Sequence, residues 1–292
     1  MTRWWLDRLE RGSPLLLDGA TGTEVERRGG RSELPLWSAR ALVTDPELVG
    51  AIHADYVAAG AELLTANSFR TQRRTLARAG LGERTEELTT LAVELARRAA
   101  SRAAHAVAVL GSAPPLEDCF RPDLVPDDAA LDREHAEHAA HLAAAGVDAV
   151  LVETMNSIRE ARAALRAARA AGLPALLGFV CWDGPRLLSG EALSEALAAV
   201  HELEPALVAV NCLPPSNVAA CLPVLAASGL PFGVYPNLGP PQGTEGRRAE
   251  QASPDELAGR ADAWLAAGAR LVGGCCGTTP AHVARLAQAM RS

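Results

Sequence analysis

Three cysteines carry the strongest chemical signal in this chain. They are Cys212, in Asn211-Cys212, and the adjacent pair Cys275-Cys276, set among Gly273, Gly274 and Gly277. Soft thiolates select zinc over hard cations. Three protein ligands with a fourth position open is the pattern of a catalytic zinc. Each thiol also has a blander reading, because free cysteine is often a small core residue, and for Cys212 alone that reading is the better one. Adjacent side chains in a strand point to opposite faces. Both members of the pair reach one ion only where the backbone bends, and the flanking glycines allow the bend. Together the three predict a metal site holding Zn2+. Of the remaining cysteines, Cys221 reads as core within a helical pattern and Cys119 sits in a Pro-rich loop. Cys181 ends an apolar run, where it could line a pocket.

Two carboxylates, Asp18 and Glu153, fall at comparable places, just after apolar runs. As structural groups they would cap loops, since Asp before Gly makes turns and Glu153 could hold nearby amides. As functional groups they would give counter-charge to an ammonium. The residues alone leave both readings open. His135, His138 and His141 repeat at i, i+3, i+6 and could also bind a metal. Ala and Glu surround them on an outer helix, and the expectation is a solvated helix face.

The elements that must position these residues follow a short repeat. A helical stretch ends in Ala-Gly or Ser-Gly, at Gly60, Gly146, Gly172, Gly229 and Gly268, and an apolar run follows at once. Glycine there suits the left-handed residue that ends a helix. Five runs follow these glycines, at 62–65, 148–152, 175–180, 232–235 and 270–272, and three more, at 15–17, 106–110 and 207–210, complete a set of eight. Continuous rather than alternating runs suit a sheet buried on both faces. Asp45-Pro46, Ser253-Pro254 and Thr279-Pro280 mark helix starts, and Ser157 with Glu160 fits a capping box. Eight βα units predict an α/β fold, a single (β/α)8 TIM barrel spanning residues 1–292 as one domain. An open doubly wound sheet is disfavoured, because Asp18-Gly19-Ala20-Thr21-Gly22 lacks the dinucleotide-loop spacing. In such a barrel the site lies at the C-terminal strand ends, which is where Asp18, Glu153 and the three cysteines fall. Two long loops, 113–127 and 237–251, follow strands on that side and could cover it.

Bulk properties exclude several classes. The 292 residues suit one barrel, and a hydrophobic content of 49% supplies a large core. All 28 basic residues are Arg, scattered among acids, and the net charge is -7. No basic stripe marks a nucleic-acid partner. No apolar run approaches the roughly 20 residues of a membrane span, and residues 1–9 lack a signal-peptide core. The expected location is the cytoplasm, where clustered cysteines argue for metal or catalysis rather than disulfides.

With these residues in view, the chain resembles the homocysteine S-methyltransferase family over nearly its whole length. The matching stretches are Asp18-Gly19-Ala20-Thr21-Gly22-Thr23-Glu24, Leu36-Trp37-Ser38-Ala39, Thr65-Ala66-Asn67-Ser68-Phe69, Glu153-Thr154, Val210-Asn211-Cys212, Tyr235-Pro236-Asn237 and Gly273-Gly274-Cys275-Cys276-Gly277. The resemblance implies the same barrel, with Cys212, Cys275 and Cys276 as zinc ligands. It also places Asp18 and Glu153 where the family binds the homocysteine backbone, with main-chain contacts from Gly19 and Ser68. The family usually carries a longer Gly- and Tyr-containing insert where this chain reads Gly111-Ser112-Ala113-Pro114-Pro115, on the methyl-donor side. The sequence shows neither the C-terminal extension of betaine-dependent members nor a corrinoid-binding domain.

The chemistry expected is methyl transfer to homocysteine, giving methionine. A free thiol with a pKa of about 8.5 is mostly protonated at neutral pH, whereas a metal-coordinated thiol is deprotonated. The partners are a small thiol acceptor and a sulfonium donor, S-methylmethionine ahead of S-adenosylmethionine. Trp37, Phe69 and Trp182 lie near the rim, either stacking on the cation or packing as core. The chain reads as a monomer or weak homo-oligomer. Two rival readings are another small thiol or selenol as acceptor, and a non-catalytic zinc or thiol sensor with Cys181 as fourth ligand.

Overall fold

The computed structural model describes residues 3–239 and 250–291. Its eight parallel strands are β1 (Leu15–Leu16), β2 (Leu63–Ala66), β3 (Ala108–Ala113), β4 (Ala149–Met155), β5 (Ala175–Phe179), β6 (Leu207–Asn211), β7 (Phe232–Tyr235) and β8 (Leu271–Val272). They hydrogen-bond in the order β1-β8-β7-β6-β5-β4-β3-β2. The ring closes where Leu17 bridges Leu63, and the Asp18 N–H donates to the Leu63 carbonyl at 3.0 Å. At least one helix separates each pair of consecutive strands. This is the (β/α)8 barrel expected from the repeat. Each of the five helix-ending glycines has a positive φ, from 73° at Gly172 to 104° at Gly268.

Alternation along the strands builds two cores. Leu15, Leu63, Leu110, Leu151, Leu176 and Leu207 fill the barrel interior. Leu16, Leu64, Val109, Val150, Leu177 and Val208 pack outward against the helices. The helix Trp4–Glu10 contributes Trp5 and Leu9 to the inner cluster. β3 and β4 run farther toward the mouth than their apolar stretches suggest, because the ladder continues through Gly111, Ser112 and Ala113, paired with Val150, Leu151 and Val152. Continued alternation makes Thr65, Ser112, Glu153 and Tyr235 the next inward positions.

Helix starts at Asp45 and Ser253 are capped as expected. Asp45 accepts from the Leu48 N–H at 3.2 Å; Ser253 and Glu256 bond reciprocally at 3.3 and 2.7 Å. Ser157 departs from the expectation. Its side chain makes no cap bond, and Glu160 turns into the interior, accepting from the Leu116 N–H at 2.7 Å with the His135 Nε2 at 3.3 Å. The carboxylate serves the Pro-rich loop, which needs a buried acceptor, rather than its own helix start.

The histidine row is not a solvated face. On the helix Asp128–Ala145, His135 and His138 are both buried, 3% exposed. Leu131, His135, His138 and Leu142 lie at i, i+4, i+7, i+11, the stripe a helix turns to its core. With Ala filling much of this helix, the histidines are its large inward residues. His138 Nε2 meets the Ser112 carbonyl at 3.0 Å.

Burial pushes His53, on the helix Pro46–Ala58, down to about 4, and His138 likewise to about 4. Both folded values lie below the unfolded value of about 6.5. Their contribution to stability is therefore full above that pH and is lost as pH falls toward 4. Neither ring nitrogen of His53 has a partner among the described residues, so it is the cleaner probe. His53→Leu should flatten the decline of the urea midpoint between roughly pH 7 and pH 4.5. A decline as steep as the parent's would remove His53 from the account.

Candidate metal centre and substrate pocket

The sulfurs of Cys212, Cys275 and Cys276 lie within 4.8 Å of one another at the C-terminal mouth of the barrel. Local backbone geometry brings them together. Alternation along β6 would send Cys212 outward after Asn211, but Cys212 adopts a left-handed φ of 52°, and the chain turns its thiol into the mouth. The Trp182 indole N–H donates to the Cys212 carbonyl at 2.9 Å, and the Asn237 amide donates to the Cys212 sulfur at 3.9 Å.

The pair follows a strand of only two residues, and its backbone is tied to both neighbours. The Gly274 N–H donates to the Asp18 carbonyl at 3.0 Å, and the Cys275 N–H to the Pro236 carbonyl at 2.8 Å. Past Cys276, Gly277 turns with φ 80°. A Cβ there would sit 2.5 Å from the Gly239 nitrogen. Cys212 and Cys276 are buried and Cys275 is partly exposed. Hydrogen bonds from the Cys212 and Cys275 thiols draw Cys276 below the ordinary thiol range.

Asp18 and Glu153 share this pocket. Asp18 accepts from the Thr65 N–H at 2.8 Å and the Thr65 hydroxyl at 2.9 Å, so the loop-holding role and the pocket position coincide. Burial raises its carboxyl well above the usual value, opposed by those two bonds. Glu153 accepts from the Ser112 hydroxyl. Burial pushes its carboxyl up to about 8, with Cys275 adding to the shift. Two buried carboxyls short of counter-charge, beside a thiol cluster, form a site suited to a cation.

The other expected residues divide. Gly19 lines the pocket, and a Cβ on it would lie 2.7 Å from the Thr278 hydroxyl. Ser68 is not among the lining residues. Its N–H donates to the Ala66 carbonyl at 2.7 Å, while its hydroxyl exchanges bonds with the Ser112 backbone at 2.9 Å. Its polar groups knit β2 to β3. Trp37 and Phe69 line the pocket and meet edge-to-face at 5.7 Å. Trp182 packs edge-on against Phe120 behind the wall. Cys181 lies against Cys221, and Cys221 is core as expected.

The 113–127 loop does cover the site, through Asp118, Cys119 and Phe120. Of the 237–251 loop, residues 240–249 lie outside the described residues. Ser112, Tyr235 and Arg70 also line the pocket and were not singled out from the sequence. Alternation would have found Ser112 once β3 had its observed end, and Tyr235 already ends the expected 232–235 run.

Comparison with known proteins agrees with this geometry. Residues 15–290 match the profile of the Homocysteine S-methyltransferase family. The chain is similar to the homocysteine S-methyltransferase of Escherichia coli K12, 34% identical and covering 95% of this chain and 96% of that one. It is also similar to the selenocysteine Se-methyltransferase of Brassica oleracea, at 29% identity over 94% of this chain and 88% of that one. The crystal structure of the E. coli homocysteine methyltransferase MmuM in its metallated form superposes with a TM-score of 0.85 at 33% identity, covering 98% of this chain and 99% of that one.

The close turn after Cys276 gives a direct test. Gly277→Ala must place a side chain against the Gly239 backbone at a left-handed position, which should lower stability by about 1–3 kcal/mol in urea unfolding. An unchanged midpoint would show that the turn adapts freely.

Proposed function

The chain belongs to the homocysteine S-methyltransferase family, and from that premise we propose that it moves a methyl group from a small sulfonium to the thiol of homocysteine, with zinc held by Cys212, Cys275 and Cys276. The observation that carries this reading is the convergence of three sulfurs and two cation-hungry carboxyls in one pocket. A tetrahedral zinc with Zn–S bonds of about 2.3 Å sets its sulfurs about 3.8 Å apart. Sulfurs already within 4.8 Å need little movement to reach that. A zinc ion there supplies the Lewis acidity that keeps an incoming thiol deprotonated at neutral pH.

The protein's own residues do the rest. Asp18 and Glu153 take the acceptor's ammonium, which lowers the cost of their burial and draws both toward the charged form. The Ser112 hydroxyl orients Glu153. Gly19 lines the pocket, and its missing side chain lets Thr278 and Tyr56 pack close behind its backbone. Trp37 and Phe69 offer aromatic surface to a sulfonium, a contact worth about 0.5–2 kcal/mol. Holding nucleophile and methyl carbon in line supplies much of the rate. The acceptor sulfur bonds the methyl carbon as the donor's S–C bond breaks, and that electron pair returns to the donor sulfur, leaving a neutral thioether. S-methylmethionine is the donor favoured over S-adenosylmethionine.

A selenol is the second acceptor reading, favoured by the Brassica relative, whose named substrate selenocysteine is one methylene shorter than homocysteine. A sensor with a closed four-thiol site finds no support, since Cys181 lies with Cys221 rather than in the cluster. No helix of the described residues is long and apolar enough to cross a membrane.

The protein should purify with about one zinc per chain. Cys275→Ser or Cys276→Ser should lose both zinc and turnover, while Cys221→Ser keeps the metal. Stoichiometric zinc in both serine variants would sink the ligand assignment. Glu153→Gln should raise the homocysteine KM strongly at near-normal zinc content; unchanged acceptor kinetics would argue against an amino-acid thiol held this way. With homocysteine present, methionine should form from a sulfonium. Turnover only with betaine or a methylated corrinoid would overturn the donor class.

A further inference from the structure

We propose that Arg70 selects the methyl donor, its guanidinium pairing with a carboxylate on the donor, so that the preferred donor is an amino-acid sulfonium rather than a bare one. This rests on the sulfonium reading of the pocket given above.

Arg70 is the one cationic side chain among the described residues lining the pocket, against Asp18, Asp118 and Glu153. A guanidinium beside a site for a positive sulfur is electrostatically adverse, unless the ligand brings a negative group to that point. The state of Arg70 fits such a ligand. Its Nε is buried without an acceptor among the described residues. Its one hydrogen bond there is long, 3.5 Å to the Glu117 carbonyl. Asp118, on the same wall, accepts from the Phe120 N–H at 2.9 Å and makes no ion pair with Arg70. A buried donor left unmade is costly, and a carboxylate is the planar partner a guanidinium matches best.

Position assigns that carboxylate to the donor. Asp18 and Glu153 sit deep, beside the thiols, where the acceptor's ammonium belongs. Arg70 lies beyond β2, near Glu117 on the wall that the 113–127 loop builds. Its guanidinium sits 5.3 Å from the Phe69 ring centre, and Phe69 meets Trp37. Stacking on Phe69 holds the charged group beside the aromatic surface, beyond the end of β2. A zwitterionic sulfonium can then place its carboxylate on Arg70 and its methyl-bearing sulfur inward, toward the thiols. The donor's carboxylate then meets Arg70, its ammonium has Asp118 on the same wall, and its sulfonium faces the acidic floor.

The test uses zinc-loaded protein, with S-methylmethionine and its methyl ester as donors. For the parent, the ester should be at least about tenfold worse in kcat/KM, as expected for loss of a charge-assisted pair. Arg70→Gln should raise the S-methylmethionine KM by about tenfold or more, leave the homocysteine KM and kcat nearly unchanged, and erase the preference for acid over ester. Arg70→Lys should recover part of that preference. Calorimetric titration with S-methylmethionine should show the same loss of affinity, with unaltered homocysteine binding as the control for folding. An Arg70→Gln variant that keeps the parent's preference overturns the proposal, as does one whose homocysteine KM rises instead. If the parent turns over no sulfonium at all, the donor class proposed above falls first, and this assignment falls with it.

Discussion

Three thiols held within 4.8 Å of one another cannot all ionise without a cation between them, because each added charge is repelled by the others at close range and low dielectric. Much of the mouth is arranged around that constraint. β8 stops after two residues, and the chain beyond it stays tied to Asp18 on one side and Pro236 on the other. The pair is therefore fixed in depth while the backbone bends. The left-handed turn at Cys212 brings in the third sulfur from a strand that is not an immediate neighbour, and Trp182 holds its carbonyl. Apart from the Trp182 indole bond, these restraints act through the backbone. The cluster is set mainly by the sheet's backbone bonds, with Trp182 and Asn237 adding side-chain bonds at Cys212.

The carboxyls obey the same logic with opposite sign. Glu153 is inward because β4 continues its alternation past the apolar stretch, and Ser112 meets it because β3 does the same. The Ser112 carbonyl also accepts from Ser68 at 2.9 Å and lies 3.0 Å from the His138 ring. A buried histidine on an outer helix thus braces the strand end that orients a pocket carboxyl. Desolvation raises both Asp18 and Glu153, so the pocket gains most from a ligand that carries positive charge to that depth.

The fold was legible because its signals are local and repeated. Eight apolar runs and five helix-ending glycines mark a parallel α/β fold, and the missing dinucleotide-loop spacing favoured its closed form. The cysteines were legible because glycines around Cys275-Cys276 are hard to explain otherwise. What escaped the sequence depends on which way a face turns. The histidine row looked solvated because Ala and Glu surround it, yet its spacing continues that of Leu131 and Leu142. Polar residues such as Ser112 and Glu153 concealed the true ends of β3 and β4, since a ladder needs only backbone groups to continue. Glu160 looked like a capping residue and instead satisfies a distant loop. Arg70 had no signal among so many arginines. Its setting appears only when its buried Nε is seen without an acceptor among the described residues.

Floor and wall of the pocket come from different kinds of structure. The floor, with the thiols, Asp18, Glu153 and Tyr235, is built from strand ends and the residues just after them, held by the sheet's hydrogen bonds. The wall, with Trp37, Arg70, Asp118 and Phe120, is built from segments beyond the strands, including the 113–127 loop. That loop is anchored at a few points, the Glu160 bond to Leu116 and the Asn156 amide on the Cys119 carbonyl at 3.1 Å among them. A change in the floor disturbs the ladder and the thiol spacing together. A change in the wall alters shape and charge while those anchors keep the floor intact. In the proposed reaction the acceptor half rests on the floor, which the sheet holds, and the donor half on the wall, to which the 113–127 loop and Arg70 belong.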